Sequence, residues 1–168
     1  METWLEPNKS PVRLQPNLHI SCDGETYAVG QMELCLANVK DKRLERLSAI
    51  EFPTDVTEHC DIKVPRVRKL RIDKEGMQHI YTYTVRYSDL DNNHHMNNLH
   101  YIDLVQNVFS SEFYEEHPIE EMELEYITQC YEGDAIDVHA RVNETDAEVL
   151  ALCPDGEIAL KAVLTFAH

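Results

Sequence analysis

The chain has 168 residues, with 31 Asp and Glu against 15 Lys and Arg and a formal net charge of −16 at pH 7. So acidic a chain repels phosphate backbones, which argues against a nucleic-acid partner. No apolar run reaches the roughly 18 residues of a membrane-spanning helix, and neither a secretory signal nor a transit peptide is recognisable. The five cysteines (Cys22, Cys35, Cys60, Cys130 and Cys153) are odd in number and never spaced C-x-x-C. They read as reduced thiols of a cytoplasmic protein rather than a disulfide framework or a zinc site.

In chain order, Leu18 to Cys22 and the run after Asp23-Gly24 form a predicted hairpin, because Asp-Gly between two such runs favours a tight turn. Leu47 to Pro65 is mixed and carries two prolines. Lys63-Val64-Pro65-Arg66-Val67-Arg68-Lys69-Leu70-Arg71 is the one basic cluster, and residues 63–76 read as an extended linker between two halves. From His79 to Tyr87 the residues alternate, with Tyr81, Tyr83, Val85 and Tyr87 on one face, so a strand is expected. Tyr101, Leu104, Val105, Val108 and Phe109 then recur at helical spacing, predicting a helix from about Leu99 to Glu115 capped by Asn97 or Asn98. Four strands follow: Met122–Cys130, Ile136–Val142, Glu148–Leu152 and Ile158–Phe166. The last two flank Pro154-Asp155-Gly156. Leu18 to Glu25 resembles Leu150 to Glu157 at an offset of 155 − 23 = 132 residues, which carries Met1 onto Gly133. Residues 1 to about 38 thus read as the last three strands of a first copy.

Between the first strand of the second half and its helix lies Tyr87-Ser88-Asp89-Leu90-Asp91-Asn92-Asn93-His94-His95-Met96-Asn97-Asn98. Two carboxylates, two imidazoles and four amides exceed what a turn needs. The segment resembles the Y-S-D-x-D-x-N-x-H-x-N-N motif of bacterial acyl-acyl carrier protein thioesterases, relatives of the plant fatty-acyl thioesterases. Tyr101-Ile102, Leu124-Glu125-Tyr126 and Gly133-Asp134 follow in register, and Met1-Glu2-Thr3-Trp4 resembles a strand of the family's first domain. The resemblance implies an α+β hotdog fold, an antiparallel sheet wrapped around a long central helix. Residues 77–168 would form a complete second hotdog. Residues 1–62 would form part of a first, lacking its front.

The resemblance places the catalytic set on Asp91, Asn93 and His95, with position 129 on the second strand. There this chain has Gln where the family has Glu, and an amide takes no proton at neutral pH. A thioester needs a polarised carbonyl and an activated water, and imidazole is the side chain that titrates near neutrality. In this reading His95 is the base, Asp91 orients it and Asn93 holds water or the carbonyl oxygen. Backbone N–H groups around Asn97 and Asn98 face the oxyanion. Cys130 reads as buried packing. No metal or other cofactor is expected, since His94 and His95 point to opposite sides of an extended segment. The implied activity is hydrolysis of fatty acyl-carrier protein thioesters to free fatty acid, ending fatty acid synthesis. The acyl carrier protein is the expected partner, without membrane or nucleic acid, and a second copy of the chain is a further candidate. An acyl-CoA thioesterase and a non-catalytic acyl-binding module stand as alternatives, the latter because of Gln129.

Overall fold

The computed structural model describes residues 1–5, 10–38, 40–41, 43–51 and 61–167; Cys60 and Pro53 lie outside them. Two compact units emerge, Met1–Arg68 and Lys69–His168, so the boundary falls within the segment read as a linker.

The first unit contains β1 (Glu2–Leu5), β2 (Arg13–Leu14), β3 (Pro16–Cys22), β4 (Glu25–Gln31) and β5 (Leu34–Cys35). β1, β3 and β4 form an antiparallel sheet in that order, and β2 pairs with β5. The β3–β4 turn places Asp23 and Gly24 at φ of 52° and 84°, the left-handed region that a two-residue hairpin turn requires.

The second unit contains β6 (Gln78–Thr84), α1 (Asn98–Gln106), α2 (Ser111–Glu116), β7 (Ile119–Tyr126), β8 (Ala135–Val142), β9 (Asp146–Leu152) and β10 (Ile158–Phe166). Its antiparallel sheet runs β6-β8-β9-β10-β7. β6 and β7, consecutive among the strands, therefore form opposite edges, and the helices carry the chain between them. Tyr101, Leu104 and Val105 of α1 join Ile136, Val138, Val149, Leu160 and Leu164 in one buried cluster. This is the hotdog arrangement that the motif implied. No helix among the described residues is long and apolar enough to cross a membrane.

Three boundaries differ from expectation. The predicted single helix is two, because Asn107 closes α1 and Ser110 opens α2 by accepting a hydrogen bond from the Phe113 N–H at 3.3 Å. Val108 and Phe109 still pack on the core through the break, so the apolar period runs on where the backbone does not. β6 stops at Thr84, and Tyr87 is 77% exposed in a short 3-10 turn. β7 ends at Tyr126, which leaves position 129 beyond the strand rather than on it.

Pairing also refines the repeat. The order β1-β3-β4 parallels β8-β9-β10. In each hairpin one residue of the second arm is skipped by the ladder, Tyr27 between the pairs Ile20↔Ala28 and Ser21↔Thr26, and Ala159 between Ala151↔Leu160 and Leu152↔Ile158. These bulged residues differ by 159 − 27 = 132, the offset of the Asp-Gly pairs. The first arms differ by 131, because Pro154 lengthens the second turn by one residue. Glu2 pairs with His19 as His139 pairs with Leu150. The first residues thus align with the middle of β8 and not with the turn at Gly133.

A smaller cluster forms where Leu70 and Ile72 bury themselves with Leu150 and Leu152, against Met77, Ile158 and Val163. This pins the segment after Lys69 to the second unit.

Candidate active site

The two carboxylates of the polar segment do different work. Asp89 is 5% exposed. Its carboxylate accepts hydrogen bonds from the Tyr83 hydroxyl at 2.6 Å, the Arg86 N–H at 2.7 Å and the Ser88 hydroxyl at 3.3 Å. Burial pushes its pKa up, but these bonds and the nearby His100 together outweigh it and hold the carboxyl below its ordinary range. Its main-chain oxygen accepts from the Asn97 N–H at 2.8 Å. One buried residue therefore fixes both ends of the segment to β6. Sequence reasoning gave Asp89 no role in the site, because nothing local distinguishes it from Asp91.

Asp91 organises the tip. Its Oδ1 accepts from the N–H of Asn93 at 2.7 Å and of His95 at 3.2 Å, and its main-chain N–H donates to the His95 carbonyl at 2.8 Å. Asn93 adds a long bond from Nδ2 to Oδ2 at 3.5 Å. Partial desolvation raises the carboxyl pKa. The bonds from Asn93 and His95, with the His95 imidazole nearby, outweigh it and leave the pKa lowered. His94 takes the left-handed conformation at φ 61°, so the chain turns there and is not the extended segment expected from sequence. Asp91, Asn93 and His95 are brought together, but the carboxylate binds the His95 amide. Among the described residues the contact of the His95 ring is an edge-on one with Tyr131, centroids 5.2 Å apart at 80°.

Position 129 reaches the site through the backbone. The Met96 N–H donates to the Cys130 carbonyl at 2.9 Å, which joins the His95 loop to the segment that carries Gln129 and Tyr131. Gln129 is exposed. The Cys130 N–H donates to the Tyr101 hydroxyl at 3.1 Å, so α1, the loop and the segment after β7 are tied at one point. Tyr131 and Tyr101 were not singled out as site residues from sequence. Their link to His95 and Cys130 crosses 36 and 29 residues, beyond the reach of local periodicity.

At the start of α1 most donors are occupied. The Asn97 N–H goes to Asp89 and the Leu99 N–H to the Asn97 side chain at 3.0 Å. Of the three amides from Asn97 to Leu99, that of Asn98 has no acceptor among the described residues. It is the one N–H of this turn available to a developing oxyanion.

Cys130 is fully buried, and its Sγ lies 3.5 Å from that of the buried Cys153. Burial first, then the bond to Cys130, pushes the Cys153 thiol up to about 12. Such surroundings suit packing better than nucleophilic attack. Cys130→Ala is expected to retain thioester hydrolysis within about threefold while costing roughly 1–2 kcal/mol of stability from the cavity, measured by thiol release and urea unfolding. Loss of turnover in a folded variant would instead point to the cysteine as nucleophile. Among the described residues no group of three or more His, Cys, Asp or Glu is placed to hold a metal ion.

Comparison with known proteins identifies the family of the second unit. Residues 72–160, more than half of the chain, match the model of the acyl-ACP thioesterase C-terminal domain. The chain is similar to an acyl-ACP thioesterase from Bacteroides thetaiotaomicron, with a TM-score of 0.79 and 25% identity over 98% of this chain and 67% of that one. It is also similar in fold to a 12:0-ACP thioesterase from Umbellularia californica, with a TM-score of 0.77 and 21% identity over 98% of this chain and 66% of that one. The chain thus spans about two thirds of the length of these two structures. No curated protein gives a significant match.

Proposed function

The chain belongs to the acyl-ACP thioesterase family through its C-terminal domain, and on that premise we propose that it hydrolyses fatty acyl thioesters of acyl carrier protein, releasing free fatty acid and ending chain elongation. The observation that carries this reading is the Met96 N–H···O=C Cys130 bond, which sets His95 beside the segment of Gln129. In the proposed step, water attacks the thioester carbonyl carbon and gives its proton to the His95 imidazole. The Asn98 N–H, at the positive end of α1, receives the oxyanion. Collapse breaks the C–S bond, and the departing thiolate takes the proton back from His95. Asp91 keeps His95 in place through its amide, and Gln129 positions the water through its amide group without accepting the proton.

Gln129 also favours a second reading, a module that binds acyl groups without cleaving them. The wild-type rate, measured beside that of Gln129→Glu, separates the two. A carboxylate on the segment joined to the His95 loop adds a proton acceptor, so the proposed enzyme should gain roughly tenfold or more in kcat on a hexadecanoyl-carrier substrate. An undetectable wild-type rate together with a large gain in the variant would favour the binding module. Parallel rates on hexadecanoyl-CoA test the carrier: equal or faster turnover of the CoA ester would count against carrier protein as the substrate.

A further inference from the structure

Five of the fifteen basic residues fall between Lys63 and Arg71, and residues 62–72 contain no Asp or Glu. In a chain of net charge −16 this is where an acidic macromolecule meets least repulsion. The segment is also held in place. In the second unit Leu70 and Ile72 are 4% and 6% exposed, sunk among Leu150, Leu152 and Met77. Both backbone groups of Leu70 are bonded, its N–H to Glu125 Oε2 at 3.1 Å and its carbonyl to Lys161 Nζ at 3.1 Å. Lys69 and Arg71 alternate with these anchors and are exposed. In the first unit the Val67 N–H donates to Gln31 Oε1 at 3.0 Å, and Lys63 and Arg66 are exposed beside it in sequence. Among the described residues, Lys63, Arg66, Lys69 and Arg71 have no carboxylate partner. A backbone pinned by apolar anchors, carrying cations free of internal pairing, spends little side-chain or loop entropy when a partner supplies the counter-charges.

We propose that the anchored start of the second unit, with its exposed Lys69 and Arg71, is the docking surface for an acidic protein, the carrier whose thioester the site hydrolyses. This rests on the proposed function for the partner's identity, whereas the surface itself rests on charge and anchoring. Electrostatic docking of this kind raises the association rate and weakens with salt.

The test is binding of a fluorescently labelled bacterial acyl carrier protein without its acyl group, followed by anisotropy at low and moderate salt. Wild type should bind and weaken steeply as salt rises. The double variant Lys69→Glu/Arg71→Glu, shown to be folded by circular dichroism, should bind at least tenfold more weakly with a flatter salt dependence. No binding by wild type, or unchanged affinity in the variant, would overturn the proposal. Hydrolysis of an uncharged hexadecanoyl N-acetylcysteamine thioester reads the catalytic site separately. Turnover without carrier binding removes the docking surface and leaves the hydrolase. Binding that depends on Lys69 and Arg71, without turnover, does the reverse.

Discussion

His95→Ala is expected to lower thioester hydrolysis by roughly 10²–10⁴-fold, the usual contribution of a positioned acid–base group. The loss should be in kcat with KM little changed, because the imidazole handles the proton in the transition state rather than holding the acyl chain. The fold of the loop should survive. Asp91 grips residue 95 by its main-chain N–H and carbonyl, and alanine keeps both. The ring's contact with Tyr131 is a partly exposed edge contact, whose loss costs on the order of 1 kcal/mol. Urea unfolding alongside the kinetics separates chemistry from folding. A variant that is folded and turns over like wild type would remove His95 from the mechanism.

Asp89→Ala should have the larger effect on stability. It strands the Tyr83 hydroxyl and the Arg86 N–H, both bonded at 2.7 Å or less to a carboxylate that is 5% exposed. Both donors are only partly buried, which puts each at the low end of the roughly 1–3 kcal/mol cost of an orphaned group, so a loss of about 2 kcal/mol is expected, or about 4–8 °C in Tm for a chain of this size. Activity should fall with it, because the Asp89 carbonyl holds Asn97 and thereby the start of α1. The pH dependence has a definite sign. The native pKa is depressed, so the stabilisation is fully present above the unfolded-state value of about 4 and disappears as pH falls through the lower native value. Wild type should therefore lose stability more steeply than Asp89→Asn from about pH 5 downward. Parallel curves in acid urea titrations would show that Asp89 does not carry this dependence.

What the sequence made legible was whatever repeats at short range. The alternation in β8 and β10, the apolar stripe of α1 and the Asp-Gly turns depend on neighbours a few residues apart, and they fold as read. The polar density from Tyr87 to Asn98 marks the candidate site. Its division of labour was not legible, because Asp89 and Asp91 are the same side chain two residues apart. Only burial beneath Tyr83 makes one a structural hub. The break between α1 and α2 was signalled by Asn107 and Ser110, but Val108 and Phe109 keep the apolar period going through it. The bulges at Tyr27 and Ala159 leave no mark in composition, since a bulge is a property of register between two strands. The contact of Tyr131 with His95, on the segment that also carries Gln129, goes with one long-range backbone bond, from Met96 to Cys130.

The central claim is that this chain cleaves an acyl-carrier thioester with water. Its most direct test is thiol release from hexadecanoyl-acyl carrier protein in ¹⁸O-labelled water, with mass analysis of the fatty acid. The proposed mechanism predicts thiol release well above the enzyme-free rate and one labelled oxygen in each carboxylate produced. Thiol release no faster than in buffer alone would contradict it.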